Sequence, residues 1–170
     1  MTDEKKKTNH LRSQLITEMK KVFKEDSKRI KHALAVLDYA EQIRLAQGGD
    51  LLIVQAAAIL HDIGILEAEH KYGSAAGKYQ EIEGPAVARK ILTKYGLDTA
   101  VIQHICEIIA NHHSDKNIDT IEFRIIWDAD WLVNIPVEFP DAKSEKLQKM
   151  FDKVFKTQKG HQIAMESLLI

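Results

Sequence analysis

The chemistry in this chain sits where imidazoles and carboxylates interrupt apolar stretches. Small and branched residues run from Ala56 to Leu60, end in His61-Asp62, and are followed by Ile63-Gly64. Such a run reads as a buried element, and its alanines let neighbouring helices approach closely. An adjacent His and Asp are costly to bury unless something compensates them, and a metal ion is a common compensation for this pair of ligand types. His32 flanks a second apolar stripe made of Ile30, Ala33, Leu34, Leu37 and Ala40. His112 continues the face of Val101, Ile105 and Ile108, and His113 that of Ile102, Cys106 and Ile109. Helical geometry leaves open which of the two imidazoles points inward. Asp130 shares a face with Phe123, Ile126 and Trp127, so a carboxylate sits among aromatic and aliphatic groups. A ligand role or a buried ion pair would satisfy it. Asp128 lies on a neighbouring face and suits a role behind a ligand. Glu83 precedes Gly84-Pro85, where a helix dipole favours a carboxylate, and the residue pattern alone favours that structural role.

These groups are carried by helices. Leu11, Leu15, Met19 and Val22 recur at helical spacing, predicting a first helix up to about Glu25 behind a frayed start, Met1 to Asn9. Asp26 or Ser27 caps a second helix, ended by Gly48-Gly49. Asp50 caps a third, which carries His61 and Asp62 and stops at Gly64. A polar stretch from Glu67 to Gln80 reads as a long loop, either a lid over a site or a solvated connector. Pro85 suits the first turn of a fourth helix, ended by Gly96. Asp98 caps a fifth, and Asp119 or Thr120 a sixth that Pro136 and Pro140 break. A charged helix is expected from Asp141 to Lys159, then an apolar tail from His161 to Ile170, both suited to packing or to a homodimer surface. No strand-like alternation is present, so the fold is predicted to be all-α.

The chain of 170 residues is long enough for one domain with a real core. A net charge of -1 argues against general nucleic-acid or membrane-surface binding. Cys106 is the single cysteine, so no internal disulfide forms and a reducing compartment is expected. No signal peptide is visible and no run reads as long enough for a membrane span, so a cytoplasmic location is expected.

Taken together, the order His32, then His61-Asp62 within Ala-Ile-Leu-His-Asp-Ile-Gly, then Asp130 within Asp-Ala-Asp-Trp-Leu resembles the HD-domain metal-dependent phosphohydrolase superfamily. Arg29-Ile30-Lys31-His32, with Val36 and Ala40 behind it, is similar to that family's first-ligand helix. The resemblance covers roughly residues 26–135 of a single HD domain spanning 1–170, with 141–170 as a helical extension. It implies an all-α HD-domain bundle with the metal site between helices. It also implies His32, His61, Asp62 and Asp130 as core ligands, and in dinuclear members two more, matching Glu83 and His112 here. His113 is then a neighbour suited to donating a proton to a leaving group, with Asp62 the other catalytic residue. Glu83 stands where the family usually has His; a carboxylate remains a competent ligand for a hard divalent metal. Ile65 and Trp131 replace cations that many members place near a phosphate. That role is then either left unfilled or shifted to Lys71, Lys78 or Arg89.

The function expected from the resemblance is hydrolysis of a phosphate ester or anhydride of a nucleotide-like small molecule by metal-activated water. One or two divalent ions are implied, from Fe, Mn, Ni, Co or Zn. Two alternatives share the ligand set: a non-catalytic metal- or ligand-binding module, and a di-iron oxygenase.

Overall fold

The structure is a computed structural model that describes residues 3–169; Met1, Thr2 and Ile170 lie outside it. Nine helices make up the described residues, with no strand among them. They are α1 (Asp3–Phe23), α2 (Ser27–Gln47), α3 (Leu51–Leu60), α4 (Ile65–Tyr72), α5 (Gly77–Lys94), α6 (Thr99–Ile109), α7 (Ile121–Glu138), α8 (Ser144–Val154) and α9 (Gln158–Ser167).

Helix α3 is the centre. Ile53 to Leu60 are all buried, and α1, α2, α6 and α7 pack around them. With only methyl groups at Ala56, Ala57 and Ala58, four helices can crowd one short segment. By length and composition Leu51–Tyr72 would cross a membrane, contrary to the expectation from sequence; here most of it is core, and a turn at 61–64 breaks it. Side-chain caps set the helix starts: Asp26 accepts from Arg29 N, Asp50 from Ile53 N, Asp98 from Ala100 N and Thr120 from Phe123 N. Gly48 and Gly49 take φ of 83° and 95° to turn the chain from α2 into α3, a conformation most other residues would strain to adopt.

Several predicted boundaries differ. Helix α1 extends back to Asp3, through most of the start expected to fray. The stretch expected to be a loop from Glu67 to Gln80 is mostly helix, and only residues 73–76 separate α4 from α5. The cause is tertiary: Gly64 and Gly84 let α4 and α5 meet at backbone contact, and a Cβ on Gly64 would fall 2.7 Å from the Gly84 Cα. That contact buries Gln80, Glu83 and Gly84 inside α5, so Pro85 sits within a helix rather than opening one. Pro136 likewise lies inside α7.

The C-terminal segment forms two helices, not one helix and a tail. Leu147, Phe151, Ile163 and Ala164 are buried, and α9 packs on α7 and α2 of the same chain. Their apolar stripe is therefore covered within the chain. Asp128 makes the join. Its carboxylate accepts from Lys156 N at 2.8 Å, Thr157 N at 2.8 Å and Thr157 Oγ1 at 2.6 Å.

Candidate metal centre

The ends of helices α3 and α6 orient two imidazoles in the same way. The last carbonyls of a helix have no partner within it. His61 follows α3 and places Nδ1 2.8 Å from the Ala58 carbonyl; His112 follows α6 and places Nδ1 2.7 Å from the Ile109 carbonyl. A carbonyl only accepts, so each Nδ1 carries a proton and each Nε2 is the ring atom left facing inward. Of the two imidazoles left open by helical geometry, His112 is thus the buried one and His113 is exposed at the rim.

The Nε2 atoms of His32 and His61 lie 3.2 Å apart. Asp130 Oδ1 is 3.0 Å from His32 Nε2 and 3.5 Å from His61 Nε2. Asp62 Oδ2 is 3.5 Å from His32 Nε2 and 3.4 Å from His61 Nε2. Its other oxygen, Oδ1, faces His112 Nε2 at 3.3 Å. Asp62 thus links two groups of donors, His32 and His61 on one side and His112 and His113 on the other.

Electrostatics ties the cluster together. Burial alone would push the His61 imidazole down, but Asp62 and Asp130 beside it hold its pKa well above the ordinary value. Burial raises the two carboxyls, and the facing imidazoles outweigh it and hold both below the usual range. His113 is held down, to about 4, by the protein packed around its ring and by His112. The His113 ring lies 3.9 Å from that of His112, and its Nε2 lies 3.3 Å from the Gln80 side-chain oxygen.

A divalent cation fits these residues. In a coordination shell with bonds of about 2.1 Å, neighbouring ligand atoms lie roughly 3.0 to 3.4 Å apart, the spacing His32, His61, Asp62 and Asp130 already show. The buried Asp130 Oδ1 faces only the ring nitrogens of His32 and His61, without hydrogen-bond geometry, a state that a cation would relieve.

Other expected residues lie elsewhere. Glu83 is outside both donor groups; its carboxylate accepts from Lys71 Nζ and from Tyr72 Oη at 2.9 Å, and these partners hold its pKa below the usual carboxylate value. The expected ligand Glu83 is thus paired here with Lys71, which α4, unforeseen as a helix, brings to it. The same pairing removes Lys71 as a free phosphate contact. Lys78 lies over the Tyr79 ring and Arg89 donates to Gln103, and neither lines the cleft described next. Asp128 points to α9 rather than standing behind a ligand, and burial, opposed by Thr157 and Lys156, raises its carboxyl to about 6.

The cluster lies in an open cleft of about 630 Å³ between α2 and α7, reaching Gln80 and His113. Its cations are Lys28, Arg29 and Lys31, which the sequence reading did not single out for this role. Arg29 is bridged to Glu69, whereas Lys28 and Lys31 are exposed and form no ion pair among the described residues. Spacing was the available signal, since Lys28 precedes His32 by four residues and so shares its helix face.

The all-α bundle and this His/Asp cluster define a helical metal-site protein, and comparison with known proteins states which. The family model for the HD domain matches residues 29–135, more than half of the chain. The chain belongs to the HD-domain superfamily. Ribonuclease Y of Thermoanaerobacter pseudethanolicus is 30% identical over 130 residues, covering 74% of this chain and 22% of that protein. Ribonuclease Y of Clostridium perfringens is 30% identical over 121 residues, covering 70% of this chain and 20% of that protein. The chain therefore spans about a fifth of the length of these relatives. A crystal structure of a predicted HD superfamily hydrolase from an uncultured Thermotogales bacterium shares the fold, with a TM-score of 0.69 and 22% identity over 94% of this chain and 85% of that one.

Proposed function

We propose that the chain is a metal-dependent phosphohydrolase acting on a phosphate ester or anhydride of a nucleotide-like substrate. The observation that carries this reading is the set of four donors at 3.0 to 3.5 Å, three of which (His32, Asp62 and Asp130) line a cleft whose rim carries two lysines with no ion pair among the described residues. His32, His61, Asp62 and Asp130 would hold one divalent cation, and Asp62 Oδ1 with His112 and His113 offers a second position. Such an ion lowers the pKa of its water from 15.7 toward about 7 and offsets charge on a phosphoryl oxygen.

The chain's own residues supply the remaining functions. The Nδ1 bonds of His61 and His112 lock both rings, so the donors need little rearrangement on binding. Lys28 and Lys31 draw an anionic substrate to the cleft. His113, beside Gln80 at the rim, is placed to hydrogen-bond the reacting phosphate or to donate a proton to the leaving group. The match to Ribonuclease Y favours a phosphodiester of RNA as a second substrate reading.

The test is metal content per chain by elemental analysis, joined to hydrolysis of nucleoside monophosphates, a generic phosphodiester and a short RNA. About one equivalent or more, with activity lost in Asp62→Ala together with the metal, supports the reading. Full metal content in pure Asp62→Ala overturns the ligand assignment. A metal-loaded protein inert on all three substrates moves the weight to a non-catalytic module.

A further inference from the structure

Beside the main cleft lies a second cavity of about 110 Å³, with Trp127 and Trp131 among its walls. Asp130, His113, Asn134 and Glu138 line both spaces. Three of these four, Asp130, Asn134 and Glu138, fall at i, i+4 and i+8 on α7, so they form a ridge with the cationic groove on one flank and the indole pocket on the other. At 1.5 Å per residue the ridge runs about 12 Å from Asp130 to Glu138.

Beyond Asp130, the polar groups along this ridge are not used by the fold. Trp127 donates its Nε1 to the Val154 carbonyl and is fixed in place, while Trp131 has no hydrogen-bond partner among the described residues. Asn134 is half-buried and its amide forms no hydrogen bond among the described residues; Glu138 is exposed and forms no ion pair among them. An indole wall beside an unpaired amide and an unpaired carboxylate suits a flat, aromatic ligand whose edge donates hydrogen bonds. The opposite flank, with Lys28 and Lys31, suits anionic oxygen.

Resting on the phosphohydrolase reading above, we infer that the substrate is a nucleoside phosphate whose base carries an amino group and stacks on Trp131. The base edge meets Asn134 and Glu138: the carboxylate accepts from the exocyclic amine, and the amide pairs with the neighbouring ring nitrogen. The phosphate lies at the Asp130 end of the ridge, beside Lys31. A base with a carbonyl in place of the amine sets two acceptors against each other at Glu138, which is the source of the selection.

Trp127 and Trp131 are the two tryptophans of the chain, so indole fluorescence reports this pocket without any need for turnover. The experiment titrates the metal-loaded protein, excited at the red edge of indole absorption, with cytidine against uridine 5′-monophosphate and adenosine against inosine 5′-monophosphate. Quenching by the amino-bearing member of each pair at roughly tenfold lower concentration is expected. Trp131→Phe should abolish the response, Trp127→Phe should retain it, and Glu138→Gln should collapse the ratio within each pair toward one. Equal quenching by both members, or a ratio unchanged in Glu138→Gln, overturns the base assignment. No quenching by any nucleotide while a generic phosphate ester is still hydrolysed also overturns it and leaves the phosphohydrolase reading standing; a protein that hydrolyses no ester yet shows the selective quenching retains the pocket and loses the reaction.

Discussion

His32 and His61 bring their Nε2 atoms to 3.2 Å although 29 residues separate them. Helix α2 supplies one and the end of α3 the other, and both face the carboxylates of Asp62 and Asp130. A pair of ring nitrogens held this close, with one ring fixed in orientation by the Ala58 carbonyl, is a preformed edge of a coordination shell.

Metal removal is therefore expected to destabilise the fold. A ligand at a hundred times its dissociation constant contributes about 2.7 kcal/mol, which for a chain of this size is roughly 5 to 10 °C in Tm. Thermal melts with and without chelator should show that difference in the parent protein and none in Asp62→Ala.

Lys28 and Lys31 should act on substrate capture. Replacing both by Ala is expected to raise KM roughly tenfold with kcat little changed, and to flatten the dependence of kcat/KM on ionic strength. Lys71→Ala and Arg89→Ala, which do not line the cleft, should leave KM near its parent value.

Asp128→Ala tests whether this carboxylate serves the fold or the metal. It strands the N–H groups of Lys156 and Thr157 and the Thr157 hydroxyl, at a cost of about 3 kcal/mol. Urea unfolding should register that loss while the metal content of the remaining folded protein stays unchanged. A drop in bound metal would instead return Asp128 to a supporting role at the centre.

Gly64→Ala should be among the most damaging single-methyl changes. Its Cβ would press on the Gly84 backbone, which cannot yield as a flexible side chain does. Forcing α4 and α5 apart is expected to cost about 1 to 3 kcal/mol, read as a lower urea midpoint.

Glu18 should dominate part of the acid response. Lys94, then Lys21 and Tyr95, hold its carboxylate down, to about 2. Between that value and the ordinary one near 4.5, the unfolded chain binds the proton and the folded chain does not, so stability falls as pH falls. The contribution is complete above about 4.5 and lost through about 2. Glu18→Gln should show a shallower loss of urea midpoint between pH 5 and 2 than the parent.

Much of the site was legible in local pattern. An imidazole or carboxylate at helical spacing within an apolar stripe is anomalous by itself, because burial penalises it; that marked His32, His61, Asp62 and Asp130, and one of the pair His112 and His113. Caps set helix starts through bonds spanning three residues or fewer, so the sequence showed Asp50 and Asp98 directly and narrowed two others to adjacent pairs, of which the structure uses Asp26 and Thr120. What the sequence by itself determined is therefore the class of fold and the set of groups that needed a common partner. Tertiary contact decided the rest. Whether Glu67 to Gln80 is loop or helix depended on the meeting of Gly64 with Gly84, and that meeting in turn paired Glu83 with Lys71. The Lys28–Lys31 rim arises where α2 and α7, more than seventy residues apart in sequence, lie side by side, and the Trp131 pocket where α7 meets His112 and His113. Local propensity acts over a few residues, and neither the partner of a charge nor the wall of a cavity is encoded at that range.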